Sequence, residues 1–463
     1  MNTYVFVDGF GKFGSQTFSS LVRAIEDMAT DGKNIQLYGI QDPSKEARKN
    51  AEKKAKELGV SPKIYDTDEK MNEDISMLQK NGHAIWVYNV SPSQNHFRSN
   101  EHYTKKHVRV LSEKPLVLTI EEKEKLMRTW DTYRTQIDHA KVETENPAFI
   151  GAKLLLDEYK IHVEDIKLLR ANSIGILKAV SNSMKEEKRI GVEGGSRLDK
   201  DHDRAYITLL LKDYIKGINI EKSEIEVFNP YDLKSESFLD VWGKETKKID
   251  TNTADGSLTS EEKIITKNGN ISLEVYTGWL GVKDEHMKTI KKIKNETKKI
   301  GIPLLPYASN TNIVDIGEDK VQFDYEEIRM FHLSGYEDGG RSVEIIGNMI
   351  PPRNNWDVPG SANFLMSIWD EEVTINLISE ENRIKALTDD VKKVEKMSGD
   401  QMTRLFKKSI LGTYPITGEL AFRDIGLTLE SKNKGIEKAI QESSFEKELK
   451  KAEKWIRKKV KIM

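Results

Sequence analysis

A short apolar strand, Val5-Phe6-Val7-Asp8, runs straight into Gly9-Phe10-Gly11-Lys12-Phe13-Gly14. This is a G-x-G-x-x-G turn, and it restricts the fold more than any other stretch of the chain. A glycine-rich turn between a strand and a helix can hold a dinucleotide diphosphate, though such turns also occur in folds that bind none. The first glycine permits the tight turn, and the second lets backbone approach the phosphates. The third lets the helix pack closely on the strand, and the helix start supplies unpaired N–H groups and a partial positive charge. The next residues, Phe18, Leu21, Val22 and Ile25, are apolar at helical spacing. The strand reading Ile35–Ile40 then ends at Gln41-Asp42-Pro43. An acid at the end of the second strand of such a unit hydrogen-bonds the adenosine ribose. Asp42 lies about 28 residues past Gly14, against a usual spacing of roughly 20. Asp42-Pro43-Ser44 is also good helix-capping chemistry, and both roles can hold together.

Strand and helix signals alternate over the first 140 residues or so. Strands are predicted at Tyr4–Asp8, Ile35–Ile40, Lys63–Tyr65, Ala84–Val90, Val108–Leu111 and Gln136–Val142. Helices are predicted from Gly14 and over Lys45–Leu58, Glu69–Gln79, Gln94–Lys106 and Ile120–Tyr133. That order implies an α/β fold with a parallel, doubly wound sheet. Past residue 145 the rhythm changes. A helix at Pro147–Glu158 leads to alternating runs at Ile225–Phe228, Ile271–Tyr276, Val321–Phe323, Val343–Ile346, Phe364–Trp369 and Val373–Leu377. Helices fit Ile207–Leu211, Asp284–Ile300 and Ile384–Lys396, and Asn268-Gly269-Asn270 is a hairpin signal. The polar stretch from Lys244 to Glu262 reads as a solvated loop. The expected organisation is a dinucleotide-binding domain over residues 1–143, an α+β domain with a large, mostly antiparallel sheet over 144–440, and a basic amphipathic helix over 441–463. That last helix fits either an anionic surface or, as is commoner, its own protein.

Composition narrows the classes. The chain has 463 residues, 73 basic against 75 acidic, for a formal net charge of −2. The balance supplies no electrostatic footprint for nucleic acid or membrane. There is no cysteine, so disulfides, thiolate metal sites and cysteine nucleophiles are excluded. The histidines outside residues 199–203 show no paired metal-ligand spacing, and no metal site is expected. With no signal-like start and no long apolar run, the expectation is a cytoplasmic protein.

Two more patterns sit at strand ends, where open α/β sheets bind ligands: Ser91-Pro92-Ser93-Gln94-Asn95-His96 and Ser112-Glu113-Lys114-Pro115. Together with the glycine turn and Asp42, this ordered set resembles the Gfo/Idh/MocA oxidoreductases, the family of glucose–fructose oxidoreductase and inositol dehydrogenase. The resemblance covers residues 1–140. It implies a Rossmann domain followed by an α+β domain, NAD or NADP as cofactor, a sugar, cyclitol or polyol substrate, and a homo-oligomer. Carried over by position, the loop Gly9, Phe10, Gly11, Lys12, Phe13 and Gly14 holds the diphosphate and Asp42 the adenosine ribose. Ser91, Pro92 and His96 line the cofactor cleft. Glu113 meets the nicotinamide-side ribose, and Lys114 touches cofactor and substrate. Hydride leaves a carbinol carbon only as its hydroxyl proton leaves, so a base or strong donor belongs beside that oxygen.

The family's second motif, Asp-x-x-x-His-x-x-Asp after a Gly-Gly run, is broken here. Gly194-Gly195 precedes Asp199-Lys200-Asp201-His202-Asp203, with Asp199 three residues before His202 and Ala205 three after it. His202 is the candidate acid/base, Asp199 and Asp203 its candidate supports, and Lys200 a candidate substrate contact; a plain charged helix start is the other reading. Asp42 favours NAD because a carboxylate repels a 2′-phosphate, while Lys45 and Arg48 nearby suit NADP. Tyr276–Gly281 fits a substrate-facing strand end or a core strand. A dinucleotide-binding sensor without turnover and an NAD-dependent glycosidase are the rival readings.

Overall fold

The computed structural model describes residues 2–145, 147–158, 160–172, 215–228, 254–266, 269–278, 307–316, 319–336, 338–340, 342–348, 363–368, 373–376 and 401–442. Six parallel strands form the first sheet: β1 (Thr3–Asp8), β2 (Ile35–Gln41), β3 (Lys63–Tyr65), β4 (Ala84–Asn89), β5 (Arg109–Ser112) and β6 (Ile137–His139). Their order is β3-β2-β1-β4-β5-β6, so the chain reverses direction across the sheet between β1 and β4. The intervening helices are α1 (Lys12–Thr30), α2 (Lys45–Glu57), α3 (Asp68–Lys80), α4 (Ser93–Lys105) and α5 (Ile120–Tyr133). Side chains of β1 alternate between two cores. Val5 and Val7 join Phe18 and Leu21 of α1 on one face. Phe6 joins Met71 and Ile75 of α3 and Tyr103 of α4 on the other. A strand covered on both faces needs an apolar run on both parities, as this one has.

Helix starts follow their capping chemistry. Ser44 Oγ accepts from Ala47 N–H at 3.3 Å. Thr119 Oγ1 accepts from Glu122 N–H at 3.1 Å, and the Glu122 carboxylate takes the Leu118 N–H at 2.8 Å.

After a 3₁₀ turn (Val142–Glu145) and α6 (Pro147–Glu158) comes a second, mixed sheet. It contains β7 (His162–Asn172), β8 (Ile215–Phe228), β9 (Ala254–Thr266), β10 (Asn270–Gly278), β11 (Tyr307–Ile316), β12 (Asp319–Tyr336), β13 (Ser342–Asn348), β14 (Asn363–Ile368) and β15 (Val373–Asn376). The order is β15-β14-β13-β12-β7-β10-β9-β8, with β11 on β12. Only β7 and β10 pair in parallel among these described strands.

Three sequence expectations need correction. Ala254–Thr266, most of it inside the stretch read as a solvated loop, is strand β9, paired with β8 on one side and β10 on the other. Its Ser and Thr residues suit a strand, and backbone ladder bonds do not require apolar side chains. The hairpin at Gly269 brings β9 onto β10: Gly269 takes φ 141° and its carbonyl accepts from Thr266 N–H at 2.9 Å. The strand expected at Gln136–Val142 stops at His139, and the backbone N–H of Lys141 goes instead to Tyr414 Oη at 3.0 Å. Central strand β7 carried no predicted element at all, because its buried Ile166, Leu168 and Leu169 break strict alternation.

The chain then returns to the first sheet. Helix α7 (Gln401–Leu411) packs on α1, and α8 (Glu419–Glu442) runs from α5 to β8. The buried positions of α7 include Met402, Leu405, Phe406, Ser409 and Ile410, a single stripe at i, i+3, i+4, i+7 and i+8. Phe406 meets Tyr88 edge-on at 4.9 Å. Trp86 Nε1 donates to Ser409 Oγ at 3.0 Å, and Ser409 Oγ donates to Asp138 Oδ2 at 2.5 Å. The positions Asp199, Lys200, His202 and Asp203, the expected helices at 207–211, 284–300 and 384–396, and the basic tail 443–463 lie outside the described residues.

Candidate cofactor cleft

The glycine turn sits at the C-terminal end of β1, at the point of chain reversal. Gly9 has φ +96°, and a Cβ there would stand 2.7 Å from Ser91 N and Cα. Any side chain would collide with the loop after β4, so the turn requires glycine on both counts. A Cβ on Gly14 would lie 3.0 Å from Gly9 O and 3.1 Å from Val90 Cγ1, which keeps α1 close to the strands. A Cβ on Gly11 would meet nothing within 4 Å. Gly11 is the N-cap of α1 and offers no side-chain cap. Open space thus lies at Gly11, as the approach of a diphosphate to backbone would require, and close packing lies on the other side of the turn. Phe13 lines the cleft. Phe10 does not present its ring there: it is 1 % exposed and packs edge-on against Phe18.

Asp42 is tied into this loop. Its Oδ2 accepts from Phe10 N–H at 2.7 Å, and its Oδ1 accepts from Ser44 N–H at 2.8 Å. The carboxylate therefore pins the glycine turn to the end of β2 and starts α2 as well. Carboxylate oxygens accept more than one hydrogen bond, so a ribose hydroxyl remains chemically compatible with it. The Arg48 guanidinium donates to the carbonyls of Asp42 and Pro43 at 2.9 and 2.8 Å. It is engaged by backbone at this strand end.

A buried polar chain braces the loops after β4 and β5. Ser91 Oγ donates to Asn89 Oδ1 at 2.7 Å, Asn89 Nδ2 donates to Asn100 Oδ1 at 2.9 Å, and Asn100 Nδ2 donates to Ser112 Oγ at 2.9 Å. His96 lies between the two loops, with Nδ1 2.7 Å from Pro115 O and Nε2 2.7 Å from Ser91 O. Burial pushes its pKa down against the pull of the two carbonyls. His96 thus fastens Ser91 and Pro115 to one ring; its side chain is a brace beneath the cleft. Pro92 is exposed at the start of α4 and lines the cleft with Ser91.

Glu113 is fixed from behind. Tyr88 Oη donates to Glu113 Oε1 at 2.7 Å, and Thr17 Oγ1 lies 3.4 Å from Tyr88 Oη. Burial and the Glu113 charge push the Tyr88 pKa well up, so Tyr88 stays a hydroxyl donor. Lys114 N–H points to Glu113 Oε2 at 3.4 Å. Lys114 itself is half-buried, and both side chains line the same cleft as Gly9, Gly11 and Asp42. The cleft has a volume of about 1440 Å³, ample for an extended ligand by comparison with the usual ~300–1,000 Å³.

The structure thus gathers Gly9, Gly11, Phe13, Asp42, Ser91, Pro92, His96, Glu113 and Lys114 around one cleft. Residues that sequence reasoning passed over are Tyr88, Thr17, Asp8 and Asp68. Tyr88 left one signal, a hydroxyl in an apolar strand. Asp8 left another, an acid closing an apolar strand just before the first glycine. Asp8 is 4 % exposed and accepts from Tyr103 Oη at 3.0 Å. Its pKa is pushed up to about 7, first by burial and then by the Asp68 carboxylate.

Residues 4–137 match the sequence profile of an oxidoreductase family with an NAD-binding Rossmann fold, Gfo/Idh/MocA. Among curated proteins none matches the chain. Solved structures with a similar fold include a myo-inositol 2-dehydrogenase from Lactobacillus plantarum at 12 % identity, covering 94 % of this chain and 97 % of that one with a TM-score of 0.53. An inositol dehydrogenase homologue complexed with NAD+ from Azotobacter vinelandii is 11 % identical, covering 94 % and 96 %, with a TM-score of 0.57. An aldose-aldose oxidoreductase from Caulobacter crescentus complexed with glycerol is 12 % identical, covering 94 % and 98 %, with a TM-score of 0.54. At these identities the likeness is one of fold, and it extends through both sheets.

Proposed function

We propose, from the match of residues 4–137 to the Gfo/Idh/MocA oxidoreductase profile, that the chain moves a hydride between a nicotinamide dinucleotide and a carbinol carbon of a sugar, cyclitol or related polyol. The observation that carries this reading is the meeting of the glycine turn, Asp42, Glu113 and Lys114 on one cleft. The turn fits a diphosphate, with an open approach at Gly11 and the uncapped start of α1 beside it. When bound, the dinucleotide supplies a two-electron acceptor or donor for hydride.

The remaining chemistry belongs to the chain. Gly9, Gly11 and Gly14 seat the diphosphate. Glu113, oriented by Tyr88, accepts from the nicotinamide-side ribose. Lys114 stands at the substrate hydroxyl and takes or returns its proton, so that hydride and proton leave the carbinol together. His202 is the proposed partner acid/base, with Asp199 and Asp203 beside it and Lys200 at the substrate.

NAD is the preferred cofactor in this reading. Asp42 lines the cleft at the end of β2, where a carboxylate disfavours a further phosphate, and Arg48 is engaged by backbone carbonyls; Arg98, Lys105 and Lys106 line the cleft as well. The reading extends to a cytoplasmic homo-oligomer, which size-exclusion with light scattering checks; no helix among the described residues is long and apolar enough to cross a membrane.

The test follows nicotinamide absorbance with NAD and NADP against a panel of sugars and cyclitols. Turnover is expected with NAD, and Lys114→Ala is expected to lower kcat by at least about a hundredfold while NAD still binds. Dinucleotide binding with no turnover on any substrate, and no effect of Lys114→Ala, would leave a sensor instead of an enzyme.

A further inference from the structure

Asp8 closes β1 one residue before the glycine turn and lines the same cleft. No basic side chain among the described residues pairs with it; Tyr103 Oη, a neutral group, donates to it at 3.0 Å. The groups that face it are known from each element packed around it. From α4 come Tyr103 and Ser99, both hydrogen-bond donors to the carboxyl. From α3 comes Asp68, a second carboxylate, itself raised by burial and by Glu69 and eased by Arg98 and His102. From the end of β2 comes Asp42, whose oxygens are taken by the Phe10 and Ser44 N–H groups. A charged Asp8 is therefore a buried anion facing two more anions. The diphosphate proposed for the adjoining turn adds two negative charges to that neighbourhood.

We propose that Asp8 controls dinucleotide affinity in its protonated form: the carboxyl next to the glycine turn carries a proton when the dinucleotide is bound, so that binding takes up a proton and weakens as the solution becomes alkaline. Burial beside Asp68 already brings the Asp8 pKa up to about 7 in the free protein. A bound diphosphate moves it further in the same direction. Binding that requires the protonated fraction loses at most about thirtyfold in apparent affinity between pH 6 and pH 8.5, by the scaling of apparent Kd with the competent fraction. This rests on the dinucleotide reading above.

The experiment is calorimetric titration of the full-length protein with NAD at pH 6, 7.5 and 8.5. At pH 7.5 it is repeated in phosphate and in Tris, whose different ionisation heats count the protons taken up. The expected result is uptake approaching one proton at pH 7.5 and an affinity that falls tenfold or more from pH 6 to pH 8.5. Asp8→Asn, which keeps an acceptor for Tyr103, should bind with the same affinity at all three pH values and take up no proton. An affinity for NAD that is unchanged across this range in the parent overturns the proposal, as does proton uptake that persists in Asp8→Asn. Should Asp8→Asn not fold, the proton count on the parent still decides, because uptake near zero is equally fatal. Absence of NAD and NADP binding at every pH fails the dinucleotide reading itself, a distinguishable outcome.

Discussion

Tyr88 shows how a single hydroxyl sets a functional group. Its ring is buried in the core between β4 and α7, and its oxygen emerges at Glu113. Burial and the neighbouring carboxylate keep it protonated, so it remains a hydrogen-bond donor. Tyr88→Phe keeps the ring and removes the donor. A buried charge that loses one hydrogen bond costs roughly 1–3 kcal/mol. The expected outcome is a KM for the dinucleotide raised about tenfold, with a smaller change in kcat, measured by steady-state kinetics. A change in thermal stability with no change in KM would reduce Tyr88 to a packing residue. Asp42 has a comparable double position, since its carboxylate both ties down Phe10 N–H and faces the cleft.

At the scale of the element, α7 does work that its place in the chain does not suggest. It lies far beyond the first sheet in sequence, within the span expected to form the second domain, and yet it packs on α1 and over Trp86 and Tyr88. Lys408 Nζ reaches the Glu145 carboxylate at 2.7 Å, and Glu145 is only 1 % exposed in its side chain. The Arg404 guanidinium donates to Glu145 O at 2.6 Å. Glu145 follows β6, so the same contact anchors the passage from the first sheet to α6. Phe406→Ala removes the ring that covers Tyr88 and Trp86. A stability loss of about 3–5 kcal/mol is expected, read as a lower denaturation midpoint. The dinucleotide site should loosen with it, because Tyr88 is the shared residue. The prediction fails if the variant unfolds at the parent's midpoint.

For the molecule as a whole, buried carboxyls govern how stability depends on pH. Asp8 and Asp138 are raised from 3.8 to about 7 and about 6, each mainly by burial. A raised acid retains its proton in the folded state after the unfolded chain has released it. Its contribution is complete below the unfolded pKa near 3.8 and is lost as pH rises through the folded pKa. His96, lowered by burial, works in the opposite sense: it adds stability as pH rises from its folded pKa towards the unfolded value of 6.5. The two signs are separable by mutation. Asp8→Asn removes one titration and leaves the others. Relative to the parent, it should gain about 3 kcal/mol between pH 5 and pH 8, measured by chemical denaturation at the two pH values. Equal pH dependence in both proteins would show that Asp8 stays charged when folded.

Much of the first unit was legible in the chain because its signals are local. The apolar run before Gly9, the Ser and Thr caps, and the helix Ile120–Tyr133 depend on neighbours within a few residues. The strand-end residues that line the cleft were readable for the same reason: each group of them closes a strand, and strand ends can be read from periodicity. What periodicity could not supply is the pairing of distant groups. The link from Asp42 to Phe10 N–H spans 32 residues, and that from Trp86 to Ser409 spans 323. The polar strand β9 became a strand only because β8 and β10 flank it. The sequence by itself determined a parallel α/β unit, its glycine turn and the strand-end residues that line the proposed dinucleotide cleft, since backbone preference and alternation act over short range. Only the tertiary structure decided that α7 seals that unit, that Tyr88 aims Glu113, and that Asp8 is a buried acid among other acids. Those properties arise from burial and from charges brought together across the fold, and neither exists until the chain is folded.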